Sequence, residues 1–188
     1  MTEWILQLPT WEMIRFFGLL SYYLLFAGVV LGISYSFPGW TPKTKGKLYR
    51  LHGAVSVSGM FIGVFHAMLL VIDTYMPFSW YEILLPFAAS HSAVVNGLGT
   101  LAAYGMAIII LTTDLRNKLH RKVWRVIHFA SYPTFVLALA HGIGGGTDTK
   151  EGWIFLSYVV TFAVVSILLI ARAFLGGKRS LAHSAGRR

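Results

Sequence analysis

Apolar residues fall into five runs of membrane-spanning length, and the charged residues collect in the short stretches between them. The runs cover residues 16–37, 49–72, 93–113, 123–143 and 153–175. A helix rises about 1.5 Å per residue, so about 20 apolar residues cross a hydrocarbon layer about 30 Å thick. The pattern predicts an all-α integral membrane protein, a five-helix transmembrane bundle. Residues 1–15 are expected at the outer interface, with Trp4, Ile5 and Trp11 as apolar anchors. Residues 16–175 form the transmembrane domain, and 176–188 form a basic tail expected to be disordered. Acids stand in the first 13 residues where a signal peptide would carry lysines, so no cleaved leader is expected.

Prolines and glycines punctuate the runs. Pro38 and Gly39 end the first, and Pro42 is expected to delay re-entry. Residues 74–92 are too short and too broken by Pro77 and Pro86 to span. They predict an outer loop with a short interfacial helix near residues 80–85. The third and fifth runs read as scaffold and packing.

Charge sets the orientation. Residues 38–50 carry Lys43, Lys45, Lys47 and Arg50 and no acid. The next loop on that side carries Arg116, Lys118, Arg121, Lys122 and Arg125 against Asp114. Arg172 and the tail add to the same side. The opposite side holds Glu3, Glu12, Asp73, Glu82, Asp148 and Glu151, with Arg15 and Lys150. The positive-inside rule puts the N-terminus outside and the C-terminus in the cytoplasm, as expected of a multi-pass protein of the cell membrane.

Composition narrows the chemistry. The chain is 56% hydrophobic and 12% charged, against about 25% charged in a soluble domain. A net charge of +9 suggests nucleic acid, but the cations sit where a membrane topology needs them, so none is expected as a partner. The absence of cysteine excludes disulfides, thiolate metal sites and covalent c-type haem attachment.

Histidines interrupt two of the apolar runs. His52 and His66 lie 14 residues apart in the second, and His128 and His141 lie 13 apart in the fourth. These two spans run in the same direction. His52 and His128 therefore share a depth near the basic loops, and His66 and His141 share one toward the outer side. Each depth receives one imidazole from each span, which suits two bis-imidazole haems stacked across the bilayer. A 14-residue step nearly returns to the same helical face, whereas a 13-residue step misses it by about 140°. Pro133 lies inside the second interval and is expected to rewind it. Other readings stand beside this one. Histidines within a span also serve as hydrogen-bonding or proton-relay groups. A divalent-metal site suits the residues less, since neither depth offers a carboxylate or thiol. Gly59 and Gly63, between His52 and His66, suggest either room for a flat cofactor or close helix packing. For Gly18, Gly28 and Gly32 of the first run, helix packing is the expected role.

The segments RLHGAVSVSGMFIGVFH (50–66) and LRNKLHRKVWRVIHFASYPTFVLALAH (115–141) resemble the ferric-reductase-like transmembrane domain. That haem-binding core is shared by ferric reductases, NADPH oxidases and the haem subunit of periplasmic methionine sulfoxide reductase. The resemblance covers about residues 46–175 and rests on Lys122, Trp124, Arg125, His128, Tyr132 and His141, with His52 and His66 on the partner span. It implies two haem b, the inner held by His52 and His128 and the outer by His66 and His141. It also implies electron transfer from a cytoplasmic-side donor, a flavoprotein or quinol, to an extracytoplasmic acceptor. No flavin or nicotinamide domain follows the last span, so a separate donor is expected. The oxidases carry a further histidine four residues beyond the second ligand of the partner span. Leu70 stands there, which argues against dioxygen reduction.

Haem propionates require cations or donors. Arg50, Arg125 and Lys122 are the inner candidates and Arg15 and His91 the outer ones. Phe135, Met60 and Phe61 fall between the two depths and are candidates to pack between the haems. The alternatives are a quinol-linked diheme cytochrome b subunit and a haem-free structural subunit of the membrane.

Overall fold

The computed structural model describes the backbone of residues 9–185 and side chains over 9–175. Trp4, Ile5, Arg187 and Arg188 lie outside the described residues. Regular structure among those residues is helical: α1 (Thr10–Tyr35), α2 (Pro42–Ile72), α3 (Trp80–Leu84), α4 (Ala93–Asp114), α5 (Arg121–Phe129), α6 (Ser131–Gly145), a single 3₁₀ turn (Thr147–Lys150) and α7 (Gly152–Ala185). Five segments are long and apolar enough to cross a membrane: α1, α2, α4, α5 with α6, and the 152–175 part of α7.

Three boundaries depart from the sequence pattern, each for a local reason. Pro42 does not delay the second helix; it starts it. The Thr41 side chain accepts a hydrogen bond from the Thr44 amide at 3.2 Å, and Pro42 occupies the first turn, where its missing N–H is no loss. The basic stretch 43–50 is therefore a helical extension of the span. Secondly, the fourth span is two helices. Ala130, at φ −62° and ψ −9°, separates α5 from α6, and its amide bonds Ile127 O at 3.0 Å in a tightened turn. Pro133 has no N–H for the Phe129 carbonyl and its ring crowds it, which places the break there. Thirdly, α7 continues through Gly176 and Gly177 to Ala185, where a disordered tail was expected. Two glycines cost a helix about 2 kcal/mol relative to alanine, whereas extending an established helix needs no new nucleus.

The short helix expected near residues 80–85 forms as the sequence predicts. Ser79 and Glu82 make a reciprocal capping box at the start of α3. Thr100 and Tyr104 of α4 donate to the Ile83 and Leu84 carbonyls at 3.0 and 2.5 Å, which ties α3 to the bundle.

α1 is the central post. It packs along α2 and also against α6 and α7. Its Tyr22, Leu25, Val29 and Ile33 join Met106, Phe135, Leu139, Ile154, Tyr158 and Val165 in the core. Phe135 is fully buried and stacks on Tyr22, centroids 5.9 Å apart and planes 20° apart. Tyr22 shares a hydrogen bond with Thr161, and Tyr23 with Ser157, both at 2.5 Å. In lipid, where burial of apolar area between helices gains little, such packing and polar pairs hold neighbours together.

The alternating helix directions gather the basic residues of 43–50 and 116–125 at one end of the bundle. Glu12, Asp73, Glu82, Asp148 and Glu151 lie at the other.

Candidate functional site

α2 carries His52 and His66; α5 carries His128 and α6 carries His141. These histidines come together in two pairs. The His52 and His128 rings have centroids 6.1 Å apart, at the basic end. Those of His66 and His141 are 6.4 Å apart, at the acidic end. Both pairs are steeply inclined, with interplanar angles of 77° and 73°. All four rings are half-buried. α2 packs mainly on α1 and α6 mainly on α4, so the facing rings meet across a gap between two hairpins.

Three of the rings have their orientation and tautomer fixed. His52 Nδ1 bonds the Gly28 carbonyl at 2.8 Å, His66 Nδ1 bonds the Ile14 carbonyl at 2.9 Å, and His141 Nδ1 bonds the Val95 carbonyl at 2.9 Å. A carbonyl only accepts, so each Nδ1 bears the proton and each Nε2 keeps its lone pair. A carbonyl acceptor on the far nitrogen is the support that metal-ligating histidines ordinarily have. His128 differs: its Nδ1 is buried without a partner, and its ring stacks on Trp124 at 5.1 Å and 25°.

The three anchored rings share one construction. Each carbonyl lies four residues before a glycine on the same helix: Ile14 before Gly18, Gly28 before Gly32, Val95 before Gly99. The imidazole rests on that glycine while its Nδ1–H reaches the carbonyl one turn away. A Cβ on Gly18 would stand 3.0 Å from His66 Cε1, one on Gly32 3.2 Å from His52 Cε1, and one on Gly99 2.7 Å from His141 Nδ1. Gly18 and Gly32 thus act as histidine seats, where helix packing was expected. Conversely a Cβ on Gly59 would meet Leu24 and the α1 backbone, and one on Gly63 would stand 2.8 Å from Ser21 Oγ, so these two serve close helix packing. α4, read from sequence as scaffold, supplies the seat for His141.

The donor set restricts what each pair could hold. Among the described residues no group of three or more histidines, cysteines or carboxylates stands together. Two imidazoles are too few for a four-coordinate zinc site, whereas a porphyrin supplies four nitrogens and lacks two axial donors. With metal–nitrogen bonds of about 2 Å and ring centres about 1 Å beyond, axial imidazoles on one metal have centroids about 6 Å apart. Both pairs match that separation. The residues fit haem.

The remaining candidates are scattered. Arg50, Lys122 and Arg125 are exposed at the basic end, and His91 is exposed near the start of α4. Arg15 is paired with Asp148, its Nε donating to Oδ2 at 2.9 Å and its second nitrogen bonding Oδ1. Phe135 and Met60 lie inward, whereas Phe61 is 69% exposed and points away from the bundle. Neighbours on a helix differ by about 100°, so Met60 and Phe61 cannot share the interior. Arg172 of α7 donates to Tyr132 OH at 2.7 Å and lies over the Phe129 ring at 5.7 Å, bridging the break at Ala130.

Compared with family models, with curated proteins and with solved structures, the chain matches none.

Proposed function

We propose that this protein is a diheme b-type electron-transfer subunit of the ferric-reductase-like kind, carrying electrons across the cell membrane from a cytoplasmic-side donor to an extracytoplasmic acceptor. The observation that carries the reading is the double pairing: two facing imidazole couples at 6.1 and 6.4 Å, three of the four rings held by carbonyls with Nε2 unprotonated. Haem, when bound, supplies reversible one-electron chemistry at a potential tuned by its ligands and surroundings.

The chain's own residues do the rest. His52 and His128 would hold a haem at the inner level through their ring nitrogens, and His66 and His141 would hold one at the outer level. The Gly28, Ile14 and Val95 carbonyls hold three of those rings in place. Phe135, Tyr22 and Met60 exclude water from the interior of the bundle. Arg50, Lys122 and Arg125, exposed at the basic end, are the proposed partners of inner propionates. Arg15 and His91 remain the outer candidates, Arg15 with its guanidinium already engaged by Asp148. The basic end faces the cytoplasm by the positive-inside rule. A flavoprotein or quinol there loses an electron, and an oxidised acceptor at the acidic face gains one.

The test is a haem count and reduced spectrum of the purified protein. Two haem b per chain are expected, with His141→Ala losing the outer and His128→Ala weakening the inner. A colourless preparation from haem-replete cells would sink the reading.

A further inference from the structure

The two levels are not built alike. At the outer level both rings are anchored, His66 to Ile14 O and His141 to Val95 O. At the inner level His52 is anchored to Gly28 O, but His128 Nδ1 is the one buried side-chain polar atom without a partner among the described residues. No carbonyl fixes the orientation of its ring or raises the basicity of its Nε2. Its stacking partner, Trp124, is on the same helix one turn earlier and gives its indole N–H to Thr113 of α4 at 3.4 Å, a contact that backs the ring's face but offers no acceptor to Nδ1.

The helix itself is loosely held. α5 has nine residues and none of them is buried. It ends at Ala130, two residues after His128, and Arg172 braces that break from outside the ring pair, so the imidazole can leave His52 only by its own side-chain rotation or by α5 turning against that brace. His141 lies in a helix with Thr134, Phe135 and Leu139 buried, and His52 and His66 lie in a continuous 31-residue helix.

We propose that His128 is a replaceable ligand, and that the inner level takes a neutral diatomic π-acceptor, the class of carbon monoxide and nitric oxide, in its place. This rests on the haem reading above. The exchange is a ligand substitution: the bond to His128 Nε2 breaks, one bond to the incoming gas forms, and no electron changes hands. Loss of an outer-shell partner weakens metal binding about 10–100-fold, so His128 competes that much less well with an incoming ligand than His141 does. The ring retains a route back, since Trp124 keeps it stacked within reach.

Carbon monoxide added to the dithionite-reduced, two-haem protein tests this. About half of the haem is expected to show the spectral shift of carbon monoxide binding. In the His66→Ala/His141→Ala double variant all remaining haem responds; in the His52→Ala/His128→Ala variant none does. Wild-type protein with two haems and no response overturns the proposal and leaves the haem reading intact, as does a response that survives removal of the inner pair. Protein without haem overturns both. If a double variant fails to fold, two-haem wild-type protein without a response still overturns the proposal.

Discussion

The imidazole of His66 rests on Gly18 with no room for a methyl group between them: a Cβ there would lie 3.0 Å from Cε1 and 3.1 Å from Nδ1. That glycine is a seat, and its counterparts under His52 and His141 make the same demand. Glycine to alanine in a helix ordinarily gains about 1 kcal/mol; here the gain is opposed by displacement of a ring.

Gly99→Ala is the sharpest case, because the added carbon would stand 2.7 Å from His141 Nδ1 and 2.8 Å from Cε1. The bond to the Val95 carbonyl is expected to break and outer haem affinity to fall about 10–100-fold. Gly32→Ala, at 3.2 Å from His52 Cε1, is the milder variant. Haem content per chain measures both, and full occupancy in Gly99→Ala would refute the seat.

Thr10 donates to Asp73 at 2.6 Å, with both side chains buried, and Asp73 also accepts the Met76 amide at 2.9 Å. Thr10→Val strips a buried carboxylate of one donor. Thermal unfolding in detergent should report a loss of about 1–3 kcal/mol, and an unchanged midpoint would count against the contact.

Glu82 has its pKa pulled down to about 2, first by the Ser79 backbone amide and then by Ser90 and the Ser79 hydroxyl. A depressed carboxylate stabilises the folded state above its unfolded value and loses that contribution as pH falls through the folded one. Protection of the Ser79 and Ser90 amides from hydrogen exchange should therefore hold at pH 6 and fade between pH 4.5 and about 2. In Glu82→Gln that acid-dependent fading should be absent.

The Arg15–Asp148 pair joins α1 to the turn before α7 through two parallel bonds. With Arg15 41% exposed, a double-mutant cycle should give a small favourable coupling that weakens with salt. Lysine cannot reproduce the fork, so Arg15→Lys should recover less than half of it.

Arg172 grips both sides of the Ala130 break, through Phe129 and Tyr132. Arg172→Leu should cost about 1–2 kcal/mol of stability and alter the spectrum of the inner haem alone. A change confined to the outer haem would contradict the placement of His128 beside this brace.

Much of the fold was legible in the sequence because lipid imposes a length and charge marks the ends: the five spans and the Trp80–Leu84 helix follow from those two facts. Pro42 misled because a proline that breaks a helix inside is tolerated at its first turn. The 13-residue step from His128 to His141 showed that something must rewind the span; the tightened turn at Ala130 does so. From sequence the seats at Gly18 and Gly32 read as helix packing, and Gly59 and Gly63 stand between two roles, because a small residue signals close approach without naming what approaches. One trace was present: the interval from Gly18 to Gly32 equals that from His52 to His66, fourteen residues in each helix. The seat in α4 left no such trace, since Gly99 has no counterpart 13 residues away.

That matched interval fixes the separation of the two histidine levels. α1 and α2 run antiparallel, and the contacts Gly18 with His66, Ser21 with Gly63, Gly28 with Ser56 and Gly32 with His52 all obey one register. Fourteen residues correspond to about 21 Å along the axis. The spacing of the two levels is thus ruled twice, on two helices that check each other like the two scales of a vernier. Lengthening either one alone would turn one imidazole off its mark, so the distance between the two histidine pairs could drift only if both helices changed together.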